Sequence, residues 1–125
     1  MNKIVLTLIA ATGVATAAFA QTAPTKTGDS AKGKVLTDQR GMTLYVFDKD
    51  GDGKSACNGA CATNWPPLAA IGDAKADGLY TVIIRDDGSK QWAYKGKPLY
   101  TWIKDSKAGD ITGDGVNNAW HVAAP

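Results

Sequence analysis

Short runs in which apolar and polar residues alternate recur along the chain, and none keeps a helical period for long. Alternation, or enrichment in β-branched and aromatic residues, marks Lys34 to Thr37, Leu44 to Phe47, Leu79 to Arg85, Gln91 to Tyr94, Leu99 to Trp102 and Ala119 to Val122. Several of these runs are separated by compact turn sequences: Asp38-Gln39-Arg40-Gly41, Asp86-Asp87-Gly88-Ser89 and Lys95-Gly96. The pattern predicts an all-β domain of about six strands, with little helix beyond one turn near Cys57 to Trp65. In Tyr45/Phe47 and Tyr100/Trp102 the rings lie two residues apart and share a strand face, which is the expected buried side.

Ahead of these runs lies a different pattern. Lys3 precedes a moderately apolar stretch from Ile4 to Ala18, and Ala18-Phe19-Ala20 offers a small-x-small cleavage site, so residues 1–20 read as a signal peptide and the mature chain is expected to start at Gln21. The stretch is shorter than the roughly 18–20 apolar residues that span a bilayer, and Thr7, Thr12, Gly13 and Thr16 interrupt it. The expectation is a periplasmic or secreted protein with no transmembrane segment in its mature chain. Residues 21–31 are rich in Thr, Lys, Gly and Ser and read as a flexible lead-in. Residues 32–125 are expected to form one β domain.

That domain carries an internal repeat. At an offset of 55, Gly41, Leu44, Tyr45, Phe47, Asp50 and Trp65 align with Gly96, Leu99, Tyr100, Trp102, Asp105 and Trp120. The spacing implies two copies of one unit, over about 32–78 and 79–125, built as related hairpins that pack their aromatic faces together.

Composition narrows the chemistry. The 125 residues include 14 Lys and Arg against 12 acids, all of them Asp. Removal of the leader takes away Lys3 and lowers the formal charge from +2 to +1. So weak a field argues against nucleic-acid binding. One His and two Cys exclude any centre that needs two histidines. A closed zinc site would need both thiolates, His121 and an Asp together.

The segments Tyr45-Val46-Phe47-Asp48-Lys49-Asp50 and Tyr100-Thr101-Trp102-Ile103-Lys104-Asp105 resemble the Yx(FWY)xxD motif of a bacterial exported family, the secreted repeat of unknown function. The resemblance extends through Cys57 and Cys61, Cys61-Ala62-Thr63-Asn64-Trp65-Pro66-Pro67-Leu68, Asp86-Asp87-Gly88, Lys97-Pro98-Leu99-Tyr100 and Gly115 to Val122. It implies export and a duplicated β unit, and it brings no activity or catalytic residue. Many members resemble lipoproteins, whereas this chain lacks a lipid-bearing Cys near the expected cleavage site.

Five groups of residues are candidates for function. Cys57 and Cys61, in an oxidising compartment with no third thiol, are expected to form a disulfide that closes a short loop and sets the turn leading to Trp65. Asp48, Asp50 and Asp52 match the first half of a calcium loop, D-x-D-x-D-G, although the twelfth position is Gly59 where a bidentate Glu belongs. The other reading of this segment is an Asp/Gly turn that caps itself. Asp50 and Asp105 are expected to accept backbone N–H groups and lock the turn after each motif strand. His121 is expected to face solvent on a terminal strand opposite Trp120, and no local pattern joins it to Ser55 or Ser89 in a hydrolase site. Trp92, Tyr94 and Trp102 are a candidate platform for a glycan or an envelope protein.

The leading functional expectation is an exported, non-enzymatic binding or scaffolding module with no cofactor. A calcium-binding protein acting through Asp48 to Gly53, and a periplasmic thiol or electron-transfer protein, are the alternatives.

Overall fold

Backbone pairing, more than apolar side chains, sets where regular structure begins. The computed structural model describes residues 24–125, and the expected leader over 1–20 lies outside them. Strand β1 (Lys26–Ser30) pairs antiparallel with β2 (Gly33–Thr37), Thr27 opposite Leu36. This corrects the flexible lead-in: β1 has hardly an apolar side chain, but β2 supplies it with a complete hydrogen-bonding neighbour. Next come β3 (Tyr45–Phe47), a five-residue helix α1 (Ala60–Asn64), β4 (Tyr80–Ile84), β5 (Lys90–Tyr94), β6 (Lys97–Pro98), a 3-10 turn (Val116–Asn118) and β7 (Trp120–Val122). The fold is all-β, with 7 strands among the described residues, in three small antiparallel sheets: β1-β2, β3-β7 and β4-β5-β6.

The expected strand at Leu99 to Trp102 shrinks to single bridges from Tyr100 to Tyr45 and to Pro67. Its counterpart β3 is a true strand because β7 lies alongside, with Tyr45 opposite Val122 and Phe47 opposite Trp120. The two bridges at Tyr100 are what the 55-residue offset makes of the same contacts, since Pro67 is to Tyr100 as Val122 is to Tyr45. Each motif segment therefore pairs with the chain that follows the helical turn of the other copy. Tyr45 and Tyr100 meet between the copies, where the Tyr45 N–H donates to the Tyr100 carbonyl at 2.7 Å and the Tyr100 N–H to the Tyr45 carbonyl at 3.0 Å.

Alternation along the motif strands sends side chains into two layers. Leu44 and Leu99 join Leu36, Ala70, Trp92 and Ala123 in one buried cluster. Tyr45 and Tyr100 join Cys57, Trp65, Ala119 and Trp120 in the other. The aromatic side is buried as the pattern implies, and the leucine side is buried as well.

In the second layer four rings stack face to face. Trp65 and Trp120 lie parallel at the centre, their centroids 3.7 Å apart, with Trp102 outside Trp65 at 4.0 Å and Phe47 outside Trp120 at 4.2 Å. Tyr45 meets Trp65 edge-on at 5.4 Å, and Tyr100 meets Trp120 in the same way at 5.1 Å. The ladder thus interleaves the copies, and each central indole is held by a tyrosine edge and a ring face. Gly113 lies against it so closely that a Cβ there would sit 2.8 Å from Trp65 Cη2. Trp120→Ala is expected to cost about 3–5 kcal/mol in chemical denaturation, and Gly113→Ala to destabilise by forcing Trp65 or Trp102 to shift.

Candidate functional site

The motif tyrosines and aspartates are joined across the copies. The Tyr45 hydroxyl donates to Asp105 Oδ2 at 2.6 Å, and the Tyr100 hydroxyl donates to Asp50 Oδ2 at 2.7 Å. The second oxygen of each carboxylate holds its own loop: Asp50 Oδ1 accepts the Ala56 N–H at 2.7 Å, and Asp105 Oδ1 accepts the Thr112 N–H at 3.0 Å and the Thr112 hydroxyl at 2.6 Å. Each Asp thus receives a backbone N–H and, in addition, a tyrosine from the other copy. Burial is the main force raising the Tyr45 and Tyr100 phenols well above their ordinary range, with the accepting carboxylate adding to it. Burial also raises the Asp50 carboxyl, against the pull of the Tyr100 hydroxyl, the Ala56 N–H and Arg85.

Around Tyr100 lies a further polar network, built on Arg85, Ser55 and Gln91. Arg85, only 5% exposed, donates to Ser55 Oγ at 3.0 Å, Gln91 Oε1 at 2.8 Å and the Cys57 carbonyl at 2.6 Å. Ser55 Oγ lies 2.6 Å from the Tyr100 hydroxyl, and Gln91 Nε2 donates to the Leu99 carbonyl at 2.8 Å. The sequence reading missed Arg85 and Gln91. The signal was the two-residue period, which puts Arg85 on the same side of its strand as buried Ile83, and Gln91 on the same side as buried Ala93. Cys57 and Cys61 form a disulfide with their Cα atoms 5.2 Å apart. Cys57 is buried, its carbonyl is held by Arg85, and the Trp65 N–H donates to the Cys61 carbonyl at 2.8 Å.

The carboxylates of the calcium-like segment are turned to three different places. Asp48 Oδ2 lies 2.8 Å from His121 Nε2, Asp50 is bound as described, and Asp52 packs against Gly96. At Gly96, φ is +82° and a Cβ would fall 1.9 Å from Asp52 Oδ1, so both the backbone and the close approach call for glycine. Among the described residues no three His, Cys or Asp side chains are grouped so as to hold a metal ion. The three Asp line one cleft of about 410 Å³, together with Lys95 and Lys97.

His121 is solvent-exposed, as expected, and its bond goes to Asp48. Ser55 is committed to the Arg85 network and Ser89 to Asp87 at 2.6 Å, so neither joins the imidazole. The proposed aromatic platform is also corrected. Trp92 is 7% exposed and belongs to the leucine cluster with Tyr94, while Trp102 belongs to the ring ladder of the other layer. Tyr94 is turned toward Tyr80, 4.9 Å away, and not toward a common face with Trp102. An open apolar surface lies elsewhere, in a trough of about 610 Å³ walled by Pro66, Pro67, Leu68 and Ile71, with Asp38, Arg40 and Trp92 also in its lining. Ile71 is 82% exposed.

Compared with known proteins, residues 26–69 and 81–124 each match the profile of a family described as a secreted repeat of unknown function. Both limits of the second match lie 55 residues beyond those of the first, the same offset as in the sequence. The first unit begins at β1, earlier than the boundary at residue 32 expected from apolar content. No curated protein and no solved structure matches the chain. No helix among the described residues is long and apolar enough to cross a membrane.

The buried phenols make an alkaline limit to stability. Unfolded tyrosine ionises near pH 10, whereas folded Tyr45 and Tyr100 hold their protons beyond that, so above about pH 10 the unfolded chain loses protons first. Stability is expected to be unaffected by these groups below that pH and to fall above it by about 1.4 kcal/mol per pH unit for each tyrosine. Tyr45→Phe and Tyr100→Phe should each cost about 1–3 kcal/mol at neutral pH and weaken the alkaline slope, as followed by urea denaturation between pH 7 and pH 11.

Proposed function

We propose that this chain, which belongs to the family of secreted repeats of unknown function, is an exported, non-enzymatic module of the cell envelope that works by binding another envelope protein. One observation carries the reading: the side chains that could do chemistry are occupied in holding the fold. Ser55, Arg85, Tyr100 and Asp50 form one connected network, Tyr45, Asp105 and Thr112 another, and the disulfide sulfur of Cys57 is buried. Among the described residues the side-chain hydrogen bond of His121 goes to Asp48 and not to a hydroxyl that it could activate. Recognition then falls to the surface.

The trough at Pro66 to Ile71 supports a polypeptide ligand over a sugar. Glycan recognition favours open aromatic faces, whereas the wall here is made by Pro66, Pro67, Leu68 and Ile71, the charged lining residues Asp38 and Arg40 are already paired with each other, and Trp92 is only 7% exposed. An extended apolar segment would cover Ile71 and Leu68, beside the Arg40–Asp38 ion pair that also lines the trough.

Two measurements test the reading. The purified mature chain, offered ester, peptide and glycosidic substrates, should give no turnover; turnover abolished by His121→Ala or Ser55→Ala in a protein that stays folded would overturn it. Extended apolar peptides should shift the Trp92 indole resonance, and Ile71→Asp should weaken that binding roughly tenfold or more. Glycans shifting the signal while peptides do not would also overturn it.

A further inference from the structure

The two copies treat their outer edges in opposite ways. β1 and β4 are equivalent by the 55-residue offset, and each is the outermost strand of its sheet, paired on one side alone among the described residues. The Lys95 N–H donates to the Leu79 carbonyl at 2.9 Å and the Arg85 N–H to the Ser89 carbonyl at 2.8 Å. Both bonds keep the β4-β5 register, so Leu79, Thr81, Ile83 and Arg85 point their backbone groups at β5, and Tyr80, Val82 and Ile84 point theirs away from it. At Tyr80 the outward groups are taken by Asp77, N–H to carbonyl in both directions at 2.9 and 3.0 Å. Val82 and Ile84 remain, facing the open side.

Their equivalents in β1 are Thr27 and Asp29. That edge is polar, it contains Gly28, and Asp29 is in an exposed ion pair with Lys34. Charge on an edge strand discourages a second strand from pairing there. β4 has no charge from Tyr80 to Ile84, and two of the large apolar side chains left exposed, Leu79 (55%) and Ile84 (57%), stand at its two ends. One edge is protected and the other is open and apolar.

We infer that the open edge of β4 is a self-association surface, on which two copies of this chain pair β4 antiparallel with β4 about a two-fold axis at Ile83. The occupant follows from the edge itself. With the axis at Ile83, Val82 of each copy lies opposite Ile84 of the other, and the outward N–H and C=O groups of both residues find partners without remainder. Val82 and Ile84 share a strand face, so the same register lays Ile84 of each copy beside Val82 of the other and covers it. The strand brings no like charges together, and the near-neutral mature chain adds little repulsion. The contact is isologous and closes at two copies. It joins the two β4-β5-β6 sheets into one.

The test is the mass of the mature chain by sedimentation equilibrium from micromolar to millimolar concentration. The mass should rise to that of a dimer, and the amides of Val82 and Ile84 should exchange more slowly as it does. Ile84→Lys, at an exposed position that leaves the monomer folded, should raise the dissociation constant roughly tenfold or more. Thr27→Lys on the equivalent edge should leave it unchanged. A chain that stays monomeric throughout overturns the inference, as does a dimer that survives Ile84→Lys or leaves those two amides exchanging at the monomer rate. Ile71→Asp should dimerise normally, so failure of trough binding and failure of edge pairing are read separately.

Discussion

A tyrosine hydroxyl from each copy given to the aspartate of the other is the contact on which the molecule turns. Both ends of each bond are buried or nearly so, and both are tied further: the phenols stand on the strand segments that meet at Tyr45 and Tyr100, and the carboxylates hold the loops that follow. A hydrogen bond to a carboxylate away from water is stronger than one between neutral groups, and leaving either partner unpaired costs more than the bond itself contributes. The motif's constant tyrosine and aspartate, five residues apart, therefore do not bond to each other. They are matched because each serves the opposite copy.

The duplication was readable because it is a matter of spacing. Two tryptophans and two Tyr/Asp pairs at one offset identify two copies, and the two-residue ring spacing identifies their buried sides. Pairing between copies was not readable in this way, because a strand's neighbour is chosen by geometry distant in sequence. That is why Leu99 to Trp102, which resembles Leu44 to Phe47 in composition, ends as bridges and not as a strand. Lys26 to Ser30 shows the converse: backbone bonds alone make a strand where side chains announce none.

Among the candidate residues, those whose chemistry was read locally fared differently from those that needed a neighbour. The cysteines, four apart, could hardly miss each other. The aspartates of the calcium-like segment obey the spacing of a cation loop, yet Tyr100, His121 and Gly96 draw them to separate places. Arg85 was overlooked because an arginine is ordinarily a surface residue, and its position facing inward is paid for by four acceptors, Ser55, Gln91, Cys57 and Asn58. The residue at its place in the first copy is Ser30, so the copies share a frame but not their polar interiors.

The reciprocal bonding also bears on how such a chain reaches its shape after export. Tyr45 and its acceptor Asp105 are separated by 60 residues, and Phe47 stacks on Trp120 near the C-terminus. A polypeptide emerging N-terminus first would present its early half without the acceptor or the ring that it needs. That half would have to wait, its indole and phenol uncovered, until nearly all of the chain had emerged. Late closure is the consequence for a molecule whose halves finish each other.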